Sequence, residues 1–270
     1  MVAIALLCAV TCYAGAMVLA ATPLTRPIGP PVGRVVAVLG AGVIAHGIGV
    51  ILLAHTTRAL PIAGLGPALS FAGLALATAL LLAETLAEDV TLALVGAPLA
   101  ALATGAAIFV GMDARPGGQP HGLQGLWLVS HIALSFVGIA ALATAGAAGA
   151  LYLVERRELK ERRFGRVFRL FPPLETLDRV NHLASVIGWV GLTLGMLLAA
   201  SYAVAYGLAD GPRIAWGILA WCAASVVAMG RLLGGWRARR AAIAAALACA
   251  LVLVTYIAAR VLAARPGQFL

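Results

Sequence analysis

Apolar residues run through this chain in stretches long enough to cross a bilayer, and the charged residues fall almost wholly between those stretches. A hydrocarbon core about 30 Å thick needs roughly 20 apolar residues per helix, because only a backbone that satisfies its own hydrogen bonds can cross it. On that scale the sequence predicts an all-α, polytopic integral membrane protein with about eight transmembrane helices, forming a single transmembrane domain over residues 1–270. The spans fall near 2–21, 35–55, 62–83, 90–111, 123–153, 180–206, 213–233 and 240–264. Pro23, Pro27, Pro30 and Pro31 break the chain after the first, since proline cannot continue a helix. Glu84, Glu88 and Asp89 are the charges expected in the connection between the third and fourth.

Composition agrees: mean hydropathy is +1.02, with 63% hydrophobic and 11% charged residues, which excludes a soluble domain. The formal charge of +9 would suggest nucleic acid in a soluble protein. Here the cations sit in short connections, as the positive-inside rule requires, and nucleic acid is not an expected partner; anionic lipid head groups are. The basic segment 155–179 carries Arg156, Arg157, Lys160, Arg162, Arg163, Arg166, Arg169 and Arg179, and it defines the cytosolic face. Arg231, Arg237, Arg239 and Arg240, and Arg26 with Arg34, fall on the same side; only Arg58, Arg115, Arg213 and Arg265 fall on the other. Both termini are therefore expected outside, in a multi-pass protein of a bacterial inner membrane.

Leu19-Ala20-Ala21 offers a small-residue cleavage site, but no basic region precedes the apolar run, so a retained first helix is expected. Cys8, Cys12, Cys222 and Cys249 lie within spans and form no CxxC, which favours packing over metal or redox work. In the basic segment, Glu158 precedes Arg162 and Arg157 precedes Glu161 by four residues, so the fifth helix should continue into the cytosol. Pro172-Pro173 should stop it, and Leu174-Glu175-Thr176-Leu177 should open the next helix with an acid at its positive end.

Ionisable groups inside a membrane are costly and usually face the bundle interior, where they mark ligand or ion paths. In the fifth span Gln124, Trp127, His131, Ser135 and Gly138 recur at helical spacing and form one polar, small-residue stripe. The sixth shows the same in His182, Ser185, Trp189, Thr193 and Met196; in the second, Gly42, His46 and Gly49 make a narrow groove with one imidazole in it. At 1.5 Å per residue, His46 lies about 18 Å above the inner boundary of its helix and His131 about 12 Å below the outer boundary of its own. Those heights coincide in a core about 30 Å thick. His55 and His121 belong at the outer mouth, and His182 near the cytosolic end. His46 and His131 at one height could ligate one metal, and haem iron commonly takes histidine. They could equally hydrogen-bond neighbouring helices. An ion-transport role would need carboxylates buried mid-span, which the sequence does not suggest.

The segment 131–264 resembles the cytochrome c assembly family that includes CcsA, CcmC and the HemX/YpjD-type proteins. The resemblance rests on the His131-Ile-Ala-Leu-Ser135 helix start, then Phe171-Pro-Pro-Leu-Glu-Thr-Leu-Asp178, Ile187-Gly188 and Leu192-Thr-Leu-Gly195. Trp221 and Gly235-Trp-Arg-Ala-Arg-Arg-Ala-Ala242 continue it. His46, followed by a glycine and a second histidine near its helix end, resembles the N-terminal half of the HemX/YpjD branch more weakly.

The resemblance implies an inner-membrane accessory protein in cytochrome c assembly or haem handling. Haem would be held by His131 and His46, with Trp127 and Trp189 against the macrocycle and Arg213, Arg58 or Arg115 on its propionates; His182 is a further candidate. The family's tryptophan-rich external motif is absent: residues 201–213 carry Tyr202 and Tyr206 instead, with Asp210, Pro212, Arg213 and Trp216 matching only its end. The family's second external histidine is absent as well, since Arg265-Pro-Gly-Gln-Phe269 contains none. Haem-lyase activity is accordingly not expected, and no catalytic residue is assigned. The resemblance also allows a HemX-type, non-enzymatic regulator that binds no haem and holds a haem-biosynthetic enzyme at the basic loop. Otherwise the expected partners are haem and cytochrome c maturation proteins.

Overall fold

The computed structural model describes residues 1–25, 31–57, 65–87, 92–112, 122–162, 172–207 and 211–263, and every regular element among them is a helix. These are α1 (Val2–Ala20), the single turn α2 (Thr22–Thr25), α3 (Val32–Thr57), α4 (Leu65–Ala87), α5 (Ala93–Val110), α6 (Gly122–Glu161), α7 (Leu174–Tyr206), α8 (Gly211–Leu232) and α9 (Ala238–Ala263). Eight are long and apolar enough to cross a membrane, so the chain is a polytopic membrane protein. At 1.5 Å per residue, the 40 residues of α6 reach about 60 Å and the 33 of α7 about 50 Å, well beyond a 30 Å core. The charged end of α6 is therefore outside the hydrocarbon, and exposed Arg157 pairs there with Glu161 at 2.9 Å. That contact keeps the guanidinium pKa raised.

Two expectations about helix ends need correction. Pro172-Pro173 do not stop α6: it ends at Glu161, with Arg162 in the left-handed region at φ 53°. The prolines open α7 instead, where the carbonyl of Pro173 accepts from the N–H groups of Thr176 (2.8 Å) and Leu177 (3.2 Å). Glu84 does not lie in a connection. It sits inside α4, only 1% exposed, and its Oε1 accepts the N–H of Ala93 at 2.6 Å, capping the start of α5. Glu84 is thus a buried carboxylate at the end of a span, one residue before Thr85, and not a mid-span group. Glu88 and Asp89 lie outside the described residues.

The helices group into two compact units: residues 1–119 with 154–177, and residues 120–153 with 178–270. In the first, α1 packs on α3 and α5, and α4 on α3 and α5. Lipid tails are as apolar as leucine, so close approach of small residues drives such packing rather than water exclusion. The stripe of α3 acts as expected of a groove, and α1 fills it. A Cβ on Gly42 would fall 2.7 Å from the Tyr13 ring, and one on Gly49 would fall 3.0 Å from Leu6. Between α4 and α5, Gly73 faces Thr104 and Gly96 faces Leu80.

In the second unit the core gathers Leu142 and Ala145 of α6, Leu192 of α7, Ala220, Ala224 and Val227 of α8, and Ala245 and Val252 of α9. Gly138, Gly188, Gly191 and Gly195 bring the backbones of α6 and α7 together; a Cβ on Gly138 would lie 2.8 Å from the backbone nitrogen of Leu192. Gly146 and Gly149 do the same for α6 against α9. Hydroxyls in the spans bond back to their own helix, as Thr144 does to Ala140 O (2.9 Å) and Thr193 to Trp189 O (2.7 Å).

Candidate functional site

The polar stripe of α6 meets α7 near their shared end in the second unit. His131, half-buried, has Nδ1 at 2.7 Å from the carbonyl oxygen of Gly195. A carbonyl only accepts, so Nδ1 carries a proton, and in the neutral ring the lone pair is on Nε2. Ser135 Oγ donates to His131 O at 2.8 Å and stands 3.5 Å from Nδ1, too long to compete. Among the described residues Nε2 has no hydrogen-bond partner. Such an arrangement, with one ring nitrogen fixed on a backbone carbonyl and the other open, is how proteins orient metal-binding imidazoles.

One turn from His131 on the same helix face stands Trp127. Its ring lies edge-on to Tyr202 and Tyr206 of α7, with centroids 6.1 Å away in both cases, and the two tyrosines are 4.7 Å apart. Gln124 Nε2 donates to the Tyr202 hydroxyl at 3.0 Å. The indole N–H of Trp127 is buried without an acceptor among the described residues. The other tryptophans of the core differ: Trp189 donates to Ser225 Oγ (3.1 Å), Trp221 to Thr193 Oγ1 (2.9 Å) and Trp216 to Val252 O (3.3 Å). A buried donor without an acceptor costs about 1–3 kcal/mol. The cluster around Trp127 therefore suits a flat, partly acidic ligand: aromatic walls, one free donor and one imidazole lone pair.

The remaining sequence candidates are placed differently. His46 is fully buried in the first unit, and hydroxyls engage both ring nitrogens: Tyr13 OH at 3.1 Å from Nδ1 and Ser70 Oγ at 2.9 Å from Nε2. Trp189 is part of the α7–α8 packing, held by Ser225. His182 is half-buried near the start of α7, with Nδ1 buried and unpartnered among the described residues. His55 is exposed. Arg58, Arg115, His121 and the side chain of Arg213 lie outside the described residues, as do 163–171 of the basic segment.

Sequence reasoning missed a second polar cluster in this unit. Arg231, in the last turn of α8, ion-pairs with Asp178 and donates to Asn181 Oδ1 at 2.7 Å. Asn181 in turn donates to Ala145 O of α6 at 2.7 Å, and Ser185 Oγ donates to Asn181 O at 2.6 Å. The signal was present, since Asp178, Asn181 and Ser185 recur at steps of three and four. It also missed Tyr202 and Tyr206 as the partners of Trp127, although both pairs, Trp127 with His131 and Tyr202 with Tyr206, are spaced by four. Among the described residues no group of three or more His, Cys, Asp or Glu gathers to hold a metal ion.

Neither a curated protein nor a solved structure matches the chain. The model of the family described as cytochrome C assembly protein matches residues 63–264. The match takes in α4 to α9, starts well before residue 131, and leaves His46 outside. With that coverage, the site of His131 and Trp127 sits in a multi-pass membrane protein that belongs to the cytochrome c assembly protein family and has its role in cytochrome c biogenesis.

Proposed function

We propose that this chain is a non-enzymatic accessory protein of the bacterial inner membrane that binds haem through His131 during cytochrome c assembly. One observation carries the reading: Nδ1 of His131 is committed to the Gly195 carbonyl, so in the neutral ring the lone pair is on Nε2, which has no hydrogen-bond partner among the described residues. Haem, if bound, would supply an iron able to take the imidazole nitrogen of His131 as a ligand. Gly195 O holds the imidazole in the tautomer that presents its lone pair at Nε2. Trp127, Tyr202 and Tyr206 present aromatic surface beside it, and the buried Trp127 N–H has no acceptor of its own among the described residues. His46 keeps a packing role in the first unit, because both of its nitrogens are taken. The segment 155–179 faces the cytosol, both ends of this chain face outward, and the membership is of the HemX type.

The test is the visible spectrum of protein purified in detergent from haem-replete cells. We expect a Soret band in the wild type and in His46→Ala, and its loss in His131→Ala. An unchanged band in His131→Ala overturns the assignment. A protein that carries no haem and refuses added hemin favours a second reading, a regulator that holds a cytosolic partner by charge. That reading rests on the projecting end of α6, where Arg156, Arg157 and Lys160 are exposed. Neutralising those residues would then abolish the association while histidine changes would not.

A further inference from the structure

The connection between α8 and α9 is built more rigidly than a surface turn requires. α8 ends with the N–H groups of Leu233 (2.8 Å) and Gly234 (3.1 Å) on Met229 O, and Trp236 N donates to Gly230 O at 3.0 Å. Gly235 takes φ 58°, a conformation that glycine adopts without strain. The Trp236 ring lies directly on Gly230, where an added Cβ would meet it at 2.4 Å. Since α8 and α9 both cross the membrane, this turn stands at its surface.

The turn holds two kinds of exposed group side by side. Leu232 is 49% exposed and Leu233 82%. Arg237, Arg239 and Arg240 follow, all exposed, and no ion pair engages them among the described residues. The first turn of α9 contains no acid, so Arg239 and Arg240 stand against the positive end of that helix dipole with nothing local to offset them. Arg231, six residues before Arg237, has a side chain only 8% exposed and paired with Asp178. The chain thus neutralises one arginine internally and leaves three together at the membrane surface, beside aliphatic side chains that water does not favour.

We propose that this turn is a binding site for an anionic phospholipid, whose phosphate is taken by Arg237, Arg239 and Arg240 while its acyl chains lie against Leu232 and Leu233. Arginine suits phosphate because its planar fork donates two parallel hydrogen bonds. The Trp236–Gly230 contact and the Gly235 turn fix the backbone that carries the three cations, so less ordering of the turn opposes binding. An acidic peptide would find the charge but would have no use for the exposed leucines.

The test uses the full-length protein in mild detergent, titrated with phosphatidylglycerol or phosphatidylcholine, with retained lipid counted by native mass spectrometry. We expect phosphatidylglycerol to be retained in preference to phosphatidylcholine. Each Arg→Gln change should weaken retention about fivefold, and R237Q/R239Q/R240Q about a hundredfold. Lysine at all three positions keeps the charge but not the paired hydrogen bonds and should fall between the wild type and R237Q/R239Q/R240Q, which separates charge loss from misfolding. R156Q/R157Q, in the other basic segment, should change nothing. Equal retention of both lipids, or an unchanged triple variant, overturns the proposal. So does full displacement by millimolar inorganic phosphate, which would indicate a site for free anions, or by an acidic peptide, which would indicate a protein partner.

Discussion

The Arg231–Asp178–Asn181 cluster allows a quantitative test, because its members differ in access to water. The Arg231 side chain is 8% exposed, that of Asp178 is 32% exposed, and Asn181 is 1% exposed. Asp178→Leu leaves a buried guanidinium with Asn181 as its remaining polar partner, and an uncompensated buried charge costs about 3–5 kcal/mol. Arg231→Met leaves a carboxylate that water can partly reach, and Asn181 Oδ1 without its donor, for about 1–3 kcal/mol. Independent sites would add these costs. The double variant R231M/D178L removes both charges and leaves only the Asn181 oxygen, so its cost returns to about 1–3 kcal/mol. Unfolding in mixed micelles with increasing dodecyl sulfate, followed by tryptophan fluorescence, reads the relevant unit selectively. All five tryptophans, at 127, 189, 216, 221 and 236, belong to the second unit. The double variant should be more stable than D178L alone. Single costs that add to within about 0.5 kcal/mol would show that the two groups do not share one energetic unit, and would refute the argument.

Two further predictions concern packing. His46→Ala strands the Tyr13 and Ser70 hydroxyls in the first unit and should cost about 2–5 kcal/mol in far-UV circular dichroism melts; Y13F/H46A/S70A should recover much of that. Gly138→Ala places a methyl 2.7 Å from Leu192 Cγ and should cost about 1–3 kcal/mol. Gly105→Ala, whose added Cβ meets nothing within 4 Å on α5, should be neutral or slightly stabilising, by about 0.5 kcal/mol. Equal melting of G138A and G105A would contradict the close backbone approach of α6 and α7.

How much of this the sequence discloses follows from what the bilayer demands. Span number is legible because hydrocarbon thickness sets a minimum apolar length, and the eight runs are unmistakable on that scale. The extension of α6 past residue 153 and the start of α7 at Leu174 are legible too, from i,i+4 pairing and from the PPLE run. What the pattern hides is which face of each helix turns inward, because lipid and core are equally apolar and the periodic contrast of a soluble amphipathic helix is weak. Glu84 reads as a loop acid at the end of an apolar run; only its position against the first N–H of α5 makes it a buried cap. The acceptor for His131 is a backbone carbonyl, which no side-chain motif announces. Arg231 and Asp178 stand 53 residues apart, and a positive-inside count sees Arg231 only as one more loop charge.

The same limit explains why His46 and His131 look alike in sequence and differ in the structure. Both lie in apolar helices beside small residues, and for both the membrane makes an unsatisfied imidazole nitrogen expensive. His46 meets that cost entirely within its unit: α1 supplies Tyr13, α4 supplies Ser70, and no nitrogen is left over. His131 meets it only by half, through Gly195, in a unit where the neighbouring Trp127 N–H also has no partner among the described residues. The haem proposed above would meet both groups, its iron taking the imidazole lone pair and a carboxylate arm the indole N–H. If His131 serves packing alone, the purified protein carries no Soret band and His131→Ala changes nothing but stability.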